Sequence, residues 1–155
     1  MHWKKIVFRL VPSPLLVRAL AWKEYFFGDY ELKLLSKFTN RQEISIDVGS
    51  NKGVYSYHLG RLSKKVEAFE PNPILAEIVS RSKIRNLTVH PIGVSDFIGQ
   101  GELEVPKFGN TEYNELAKIG SGNFAGYTKK FPIEISTLDN YFSNKKEKIG
   151  FIKID

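Results

Sequence analysis

Asp47-Val48-Gly49-Ser50-Asn51-Lys52-Gly53 is the densest group of chemically able residues in the sequence. Two glycines flanking a short loop let the chain turn sharply and bring its backbone close to a ligand with no β-carbon between them. Gly49 follows an apolar run, Ile44 to Val48, and Gly53 stands where a helix begins. The spacing is Gly-x-x-x-Gly with an acid two residues earlier. It matches neither the Gly-x-Gly-x-x-Gly dinucleotide fingerprint nor the P-loop, which ends in Gly-Lys-Ser/Thr, so no pyrophosphate cradle is expected. Asp47 suits the cationic end of a ligand, an ammonium or a sulfonium group. The plainer alternative is an ordinary strand–turn–helix glycine loop.

Glu70 closes the next apolar run, Val66 to Phe69, and follows Gly49 by 21 residues. An acid at the end of a second strand accepts hydrogen bonds from the two ribose hydroxyls of a nucleoside. Pro71, Asn72 and Pro73 fix the exit of the chain and hold that carboxylate at the sheet edge. After a third strand comes Gly93-Val94-Ser95-Asp96, where Asp96 can accept from an adenine amino group or Ser95-Asp96 can simply form an Asx-type turn. Asp155 ends the last apolar run, Phe151 to Ile154, and is the candidate to orient a substrate hydroxyl or take its proton. Of Tyr55 and Tyr57, Tyr55 is the one expected at the site, because it begins the helix above Gly53. His2, His58 and His90 have no metal-ligand spacing and are assigned to surface or packing, with no metal expected. There is no nucleophile elbow and no convincing catalytic triad.

These residues need a scaffold that delivers them to one edge. Short apolar runs alternate with helical patterns from residue 41 onward, which predicts an α/β parallel sheet of Rossmann type. The predicted strands are 44–48, 66–69 and 87–90, the last running on through Ile92 and Val94. Asn72 reads as an N-cap with Pro73 at the first helical position. Right-handed connections gather the loops after successive strands at one sheet edge. Residues 102–105 and 133–136 alternate apolar and polar and predict an added, half-exposed antiparallel pair. Residues 107–130 between them, with Gly109, Gly120, Gly122 and Gly126, read as a long mobile loop of functional kind. Thr137 to Phe142 predicts a short helix, and Lys145-Lys146-Glu147-Lys148 a solvated loop.

The chain has 155 residues, 42% hydrophobic and 26% charged, enough for a single globular domain and unlike a fibrous or disordered protein. With no cysteine, disulfides, thiolate nucleophiles and cysteine zinc sites are excluded. The net charge of +6 divides unevenly, +4 on residues 1–40 and +2 on residues 41–155. A nearly balanced central domain argues against nucleic acid as partner. Residues 1–40 form a separate helical arm broken at Pro12-Ser13-Pro14. Being basic, aromatic and amphipathic, the arm either lies on an anionic membrane surface or packs across the domain as a cap. Its prolines and arginines, with no small-residue cleavage site, argue against export, so a cytoplasmic protein is expected.

In this order the motifs resemble the FkbM family of S-adenosylmethionine-dependent methyltransferases, over roughly residues 27–155. The matching segments are Phe27-Gly28-Asp29-Tyr30-Glu31, Ile46-Asp47-Val48-Gly49-Ser50-Asn51-Lys52-Gly53, Ala68-Phe69-Glu70-Pro71-Asn72-Pro73, Gly93-Val94-Ser95-Asp96, Ser136-Thr137-Leu138-Asp139 and Ile152-Lys153-Ile154-Asp155. The resemblance implies a class I methyltransferase fold binding S-adenosylmethionine. The glycine loop, Gly49, Ser50, Asn51 and Gly53, would face the methionine part, and Glu70 the ribose. It further implies O-methylation of hydroxyls on sugars, polysaccharide precursors or other small molecules. The family pattern continues past Lys-Ile-Asp into Val-Glu-Gly and further strands. Of the class I strand order 3-2-1-4-5-7-6, only the half 3-2-1-4 is therefore expected, with the fourth strand at an open edge, as in a truncated chain. Two other readings stand beside this one. A catalytically inactive fragment or interaction module would keep the half-fold, and a nicotinamide-dependent oxidoreductase fits the alternation and Glu70 but not the loop.

Overall fold

The computed structural model describes residues 11–108, 111–120 and 127–155. Expectations about His2 and the start of the chain, and about Gly109, Gly122 and Gly126, fall outside these residues. The chain enters through helix α1 (Ser13–Phe27), a 3-10 turn (Tyr30–Lys33) and the short helix α2 (Leu35–Phe38). Strand β1 (Ile44–Val48), helix α3 (Val54–Leu62), strand β2 (Lys65–Phe69), helix α4 (Pro73–Ser80) and strand β3 (Leu87–His90) follow. Then come β4 (Gly93–Val94), β5 (Gly99–Phe108), β6 (Thr111–Glu112), a 3-10 turn (Asn114–Leu116), β7 (Lys118–Ile119) and β8 (Tyr127–Ser136). Helix α5 (Leu138–Phe142) and strand β9 (Ile149–Ile154) end the described chain.

Four parallel strands form the main sheet in the order β3-β2-β1-β9, the half-order expected from the sequence. All five residues of β1 are buried, as a strand covered on both faces requires. One face packs Val66 with Leu59 of α3 and with Leu32 and Leu35 of the N-terminal segment. The other packs Ile46, Val48 and Phe69 beneath Leu138, Tyr141 and Phe142 of α5. A second sheet, β4-β8-β5-β6, is built on the hairpin of β5 and β8, in register from Gly99↔Ile135 to Lys107↔Tyr127. Its core is Leu103, Val105, Ile133 and Ile135.

Two expectations change. The third strand stops at His90, and Gly93–Val94 leaves the main sheet to pair in parallel with Ile135 and Ser136 of β8. The switch needs Gly93, because a β-carbon there would meet Ile119 Cδ1 at 2.7 Å and Ile133 Cδ1 at 3.2 Å. The segment 107–130 is not one loop: β5 and β8 extend into it, and β6 and β7 fold back on β5 by antiparallel pairing. The expected break at Pro12-Ser13-Pro14 adjoins residues outside the described ones; from Ser13 onward the arm is helical. Pro14 sits in the first turn of α1, where its missing N–H costs nothing, and the helix runs fifteen residues. α1 buries Leu16, Val17 and Ala21, so the described part of the arm packs on the domain. No helix among the described residues is long and apolar enough to cross a membrane.

Candidate functional site

The loop after β1 alternates in backbone hand. Gly49, Asn51 and Gly53 carry φ of 71°, 49° and 75°. Glycine takes such angles freely, and asparagine is among the few other residues that tolerate them. The amides of Gly49 and Ser50 both donate to the Phe69 carbonyl, at 2.9 and 3.1 Å, which ties the loop to the end of β2. Glu70 completes the tie. Its Oε2 accepts from the Asn51 amide at 2.6 Å and its Oε1 from the Asn72 amide at 2.9 Å. Asn72 caps α4, its Oδ1 accepting from the Ile74 amide at 3.1 Å, so the expected N-cap is in place.

Beside this carboxylate opens a cleft of about 370 Å³, within the range of small-ligand sites. Gly49, Asn51, Glu70, Pro71, Asn72, Ser95 and Asp155 are the sequence candidates that line it. Phe69, Leu75, Ile92, Val94 and Leu103 give it apolar walls. Gly49 is needed where it stands, since a β-carbon would lie 3.1 Å from Asp155 Cβ. Burial raises the pKa of Glu70, partly offset by the Asn72 and Asn51 amides; the Asp47 charge raises it further and Lys153 lowers it.

The other candidates lie elsewhere. Asp47 is fully buried beneath the loop, not in the cleft lining. Its Oδ2 accepts from Ser56 Oγ at 2.6 Å, and Lys153 Nζ stands 3.5 Å from its Oδ1. The cation it meets is the protein's own. Burial raises the Asp47 pKa, offset by Lys153 and Ser56. Ser50 is buried and Gly53 packs on Val79, where a β-carbon would meet both methyls at 3.2 Å. Tyr55 packs against the Leu32–Leu35–Leu59–Val66 cluster instead of the cleft. Burial, with Asp29, Glu31, Asp155 and Asp47 nearby, pushes its phenol up to about 12, so it is no base at neutral pH. Asp96 is exposed, 3.2 Å from Ser95 Oγ, which favours the local turn over an adenine contact.

Two groups of residues escaped the sequence. Asn114, Ala117 and Ile119 line the cleft from the folded-back segment, and Asn72 Nδ2 donates to Asn114 Oδ1 at 2.9 Å. The glycine-rich composition of 107–130 signalled function but no particular residue. Lys153 was legible only as part of a motif. Its ammonium reaches the Gly49 carbonyl at 3.0 Å and the Val48 carbonyl at 3.5 Å, besides Asp155 at 3.3 Å, and so braces the loop from below.

The residues present fit an adenosyl ligand. Each Glu70 oxygen accepts one backbone amide and keeps a lone pair for a ribose hydroxyl. The apolar walls suit a base, and Asn51 Oδ1 is buried without a hydrogen-bond partner among the described residues.

A family model described as the methyltransferase FkbM domain matches residues 47–155. Among solved structures, an rRNA methylase from Streptococcus thermophilus is similar at 24% identity. That match covers 40% of this chain and 37% of that one, with a TM-score of 0.38. A structure of DhpI in complex with SAH is similar at 17% identity, covering 50% of this chain and 42% of that one, with a TM-score of 0.31. The chain thus spans about two-fifths of the length of these structures. The search of curated proteins found no match. The family model reaches from the buried Asp47 through the glycine loop and Glu70 to Asp155, and the chain belongs to the FkbM methyltransferase family.

Proposed function

We propose that this chain binds S-adenosylmethionine and serves methyl transfer to a hydroxyl oxygen, on a sugar, a polysaccharide precursor or another small molecule. The observation that carries the reading is Glu70, a carboxylate fastened by two backbone amides in the lining of a cleft that also has apolar walls. Bound there, S-adenosylmethionine supplies a methyl group on a sulfonium sulfur. Glu70 holds the ribose diol, and Gly49 lets the chain pass close to the ligand without a side chain. Asp155, in the cleft lining, accepts a hydrogen bond from the acceptor hydroxyl and takes its proton as the carbon–oxygen bond forms and the carbon–sulfur bond breaks. Orientation does most of the work in such a displacement. A cytoplasmic setting belongs to the same reading and is supported by the cysteine-free sequence.

A second reading, a module that binds the cofactor without transferring methyl, is favoured by one observation. The Asp155 side chain stands 71% exposed, where water competes for any acceptor. Calorimetry with S-adenosylhomocysteine tests the shared part, with saturable binding expected and abolished in Glu70→Ala. No heat at high micromolar ligand overturns both readings. Labelled methyl transfer to hydroxylated sugars then separates them: transfer lost in Asp155→Asn supports the enzyme, and binding without transfer supports the module.

A further inference from the structure

A second cavity, of about 380 Å³, opens between α1, α3 and the turn that follows α4. The turn leads into the start of β3, so this cavity lies at the opposite end of the parallel strands from the cleft beside Glu70. Arg18, Arg61, Lys83 and Arg85 all line it, and no carboxylate does. Several cations elsewhere are paired, Lys65 with Glu67, Arg81 with Glu77, Lys130 with Glu102, Lys148 with Glu43 and Lys153 with Asp47. Among the described residues Arg18, Lys83 and Arg85 have no carboxylate partner, and Arg61 has only the Trp22 ring, 5.8 Å from its guanidinium carbon.

The surrounding backbone does not account for this concentration. α3 and α4 both end near the cavity, and each C-terminus carries about half a negative charge. Four cations exceed that by about three charges. Asn86 Nδ2 already donates to the Ser63 and Lys64 carbonyls beyond the end of α3, at 2.9 and 3.3 Å. Two further features mark the place. Ser82, in the lining, is 7% exposed, and its hydroxyl has no hydrogen-bond partner. Lys83 holds φ of 58°, a left-handed angle that costs a residue with a β-carbon about 1 kcal/mol. Both sit among the unpaired cations.

The geometry points to a phosphate-binding site: a cavity in which three guanidinium forks and an ammonium take the phosphoryl or pyrophosphoryl group of a soluble ligand or of a phospholipid head group. Guanidinium groups match phosphate oxygens in bidentate fashion. The Tyr57 phenol, also in the lining, adds a neutral donor. This site is independent of the cofactor cleft, so its failure and the failure of the methyltransferase reading are separate results.

The test uses the full 155-residue chain at low ionic strength. Calorimetry is run with inorganic phosphate and pyrophosphate, and co-sedimentation with vesicles of phosphatidylglycerol against phosphatidylcholine. Arg18→Glu and Arg85→Glu are each expected to weaken binding about tenfold or more, the loss of a charge-assisted hydrogen bond. S-adenosylhomocysteine binding is expected to stay unchanged in both. Pyrophosphate binding identifies a soluble ligand, and binding confined to phosphatidylglycerol vesicles and lost in Arg85→Glu identifies a lipid head group; either supports the site. Lys37→Glu reverses an exposed charge outside the cavity lining and is expected to change nothing. The proposal is overturned if no phosphate or vesicle binds, if Arg18→Glu and Arg85→Glu both leave binding intact, or if Lys37→Glu weakens it equally.

Discussion

Glu70 and Lys153 show how single side chains define the cleft. Glu70 works as an acceptor only while ionised, and burial raises its pKa despite two amide donors. Affinity for S-adenosylhomocysteine is therefore expected to fall on acidification from a higher pH than an ordinary glutamate would give. Glu70→Gln keeps the shape and loses the charge. Its affinity is expected to drop about tenfold or more and to lose this pH dependence, read by calorimetry across the acid range. Lys153 is a positioning residue, because it braces Asp47 and the loop carbonyls without itself lining the cleft. Lys153→Met leaves the fully buried Asp47 carboxylate without its cation, a change expected to cost about 3 kcal/mol or more. Adding Asp47→Asn removes the stranded charge and is expected to recover part of that loss. Chemical denaturation of the two single variants and the double variant measures the coupling, and additive losses would mean that the two residues do not act as a pair.

Elements are joined by a polar cluster on the face of the sheet beneath α5. Glu67, fully buried in β2, takes Lys65 Nζ at 2.7 Å, His90 Nε2 of β3 at 2.7 Å and Lys145 Nζ at 3.4 Å. Lys145 also lies 3.9 Å from the centroid of the Tyr141 ring, so the run 145–148 is not wholly the solvated loop expected of it. Burial alone would raise the Glu67 pKa, but the His90 and Lys65 hydrogen bonds and the two lysine charges outweigh it and hold the carboxyl at about 2. A carboxylate whose folded pKa lies below its unfolded value of 4.5 stabilises the fold fully above that pH and loses the contribution as pH falls toward 2. Glu67→Gln is expected to cost about 2 kcal/mol at pH 7, or about 4–8 °C in Tm, with the gap to the parent closing between about pH 5 and pH 2. Thermal melts across that range read it, and a gap independent of pH would remove the charge from the explanation. None of this was legible in the sequence, because it depends on side chains that parallel pairing brings together, such as Phe69 with His90, and not on any spacing along the chain.

At the scale of the molecule, local patterns were the legible part. The apolar runs fixed β1, β2 and β3, the Asn72-Pro73 pair fixed the start of α4, and the loop glycines fixed the turn at Gly49. Sheet assignment was not legible: Gly93–Val94 reads as an extension of β3 until the packing of Ile119 and Ile133 around Gly93 draws it into the other sheet. Nor was the direction of Asp47, since a buried acid facing its own lysine and an acid facing a ligand have the same sequence. The division at residue 40 likewise follows composition but not the core. Leu32 and Leu35 pack in one cluster with Leu59 and Val66, and Val17 Cγ1 lies 3.5 Å from where a Gly53 β-carbon would stand. Each such buried leucine is worth about 2–5 kcal/mol on truncation to alanine, against a total stability of about 5–15 kcal/mol for a domain. A chain lacking residues 1–40 is therefore expected to lose its cooperative thermal transition and to bind a hydrophobic dye, while retaining helical signal. If residues 41–155 instead melt at the parent temperature, the arm is an appendage and its buried face adds nothing to the fold.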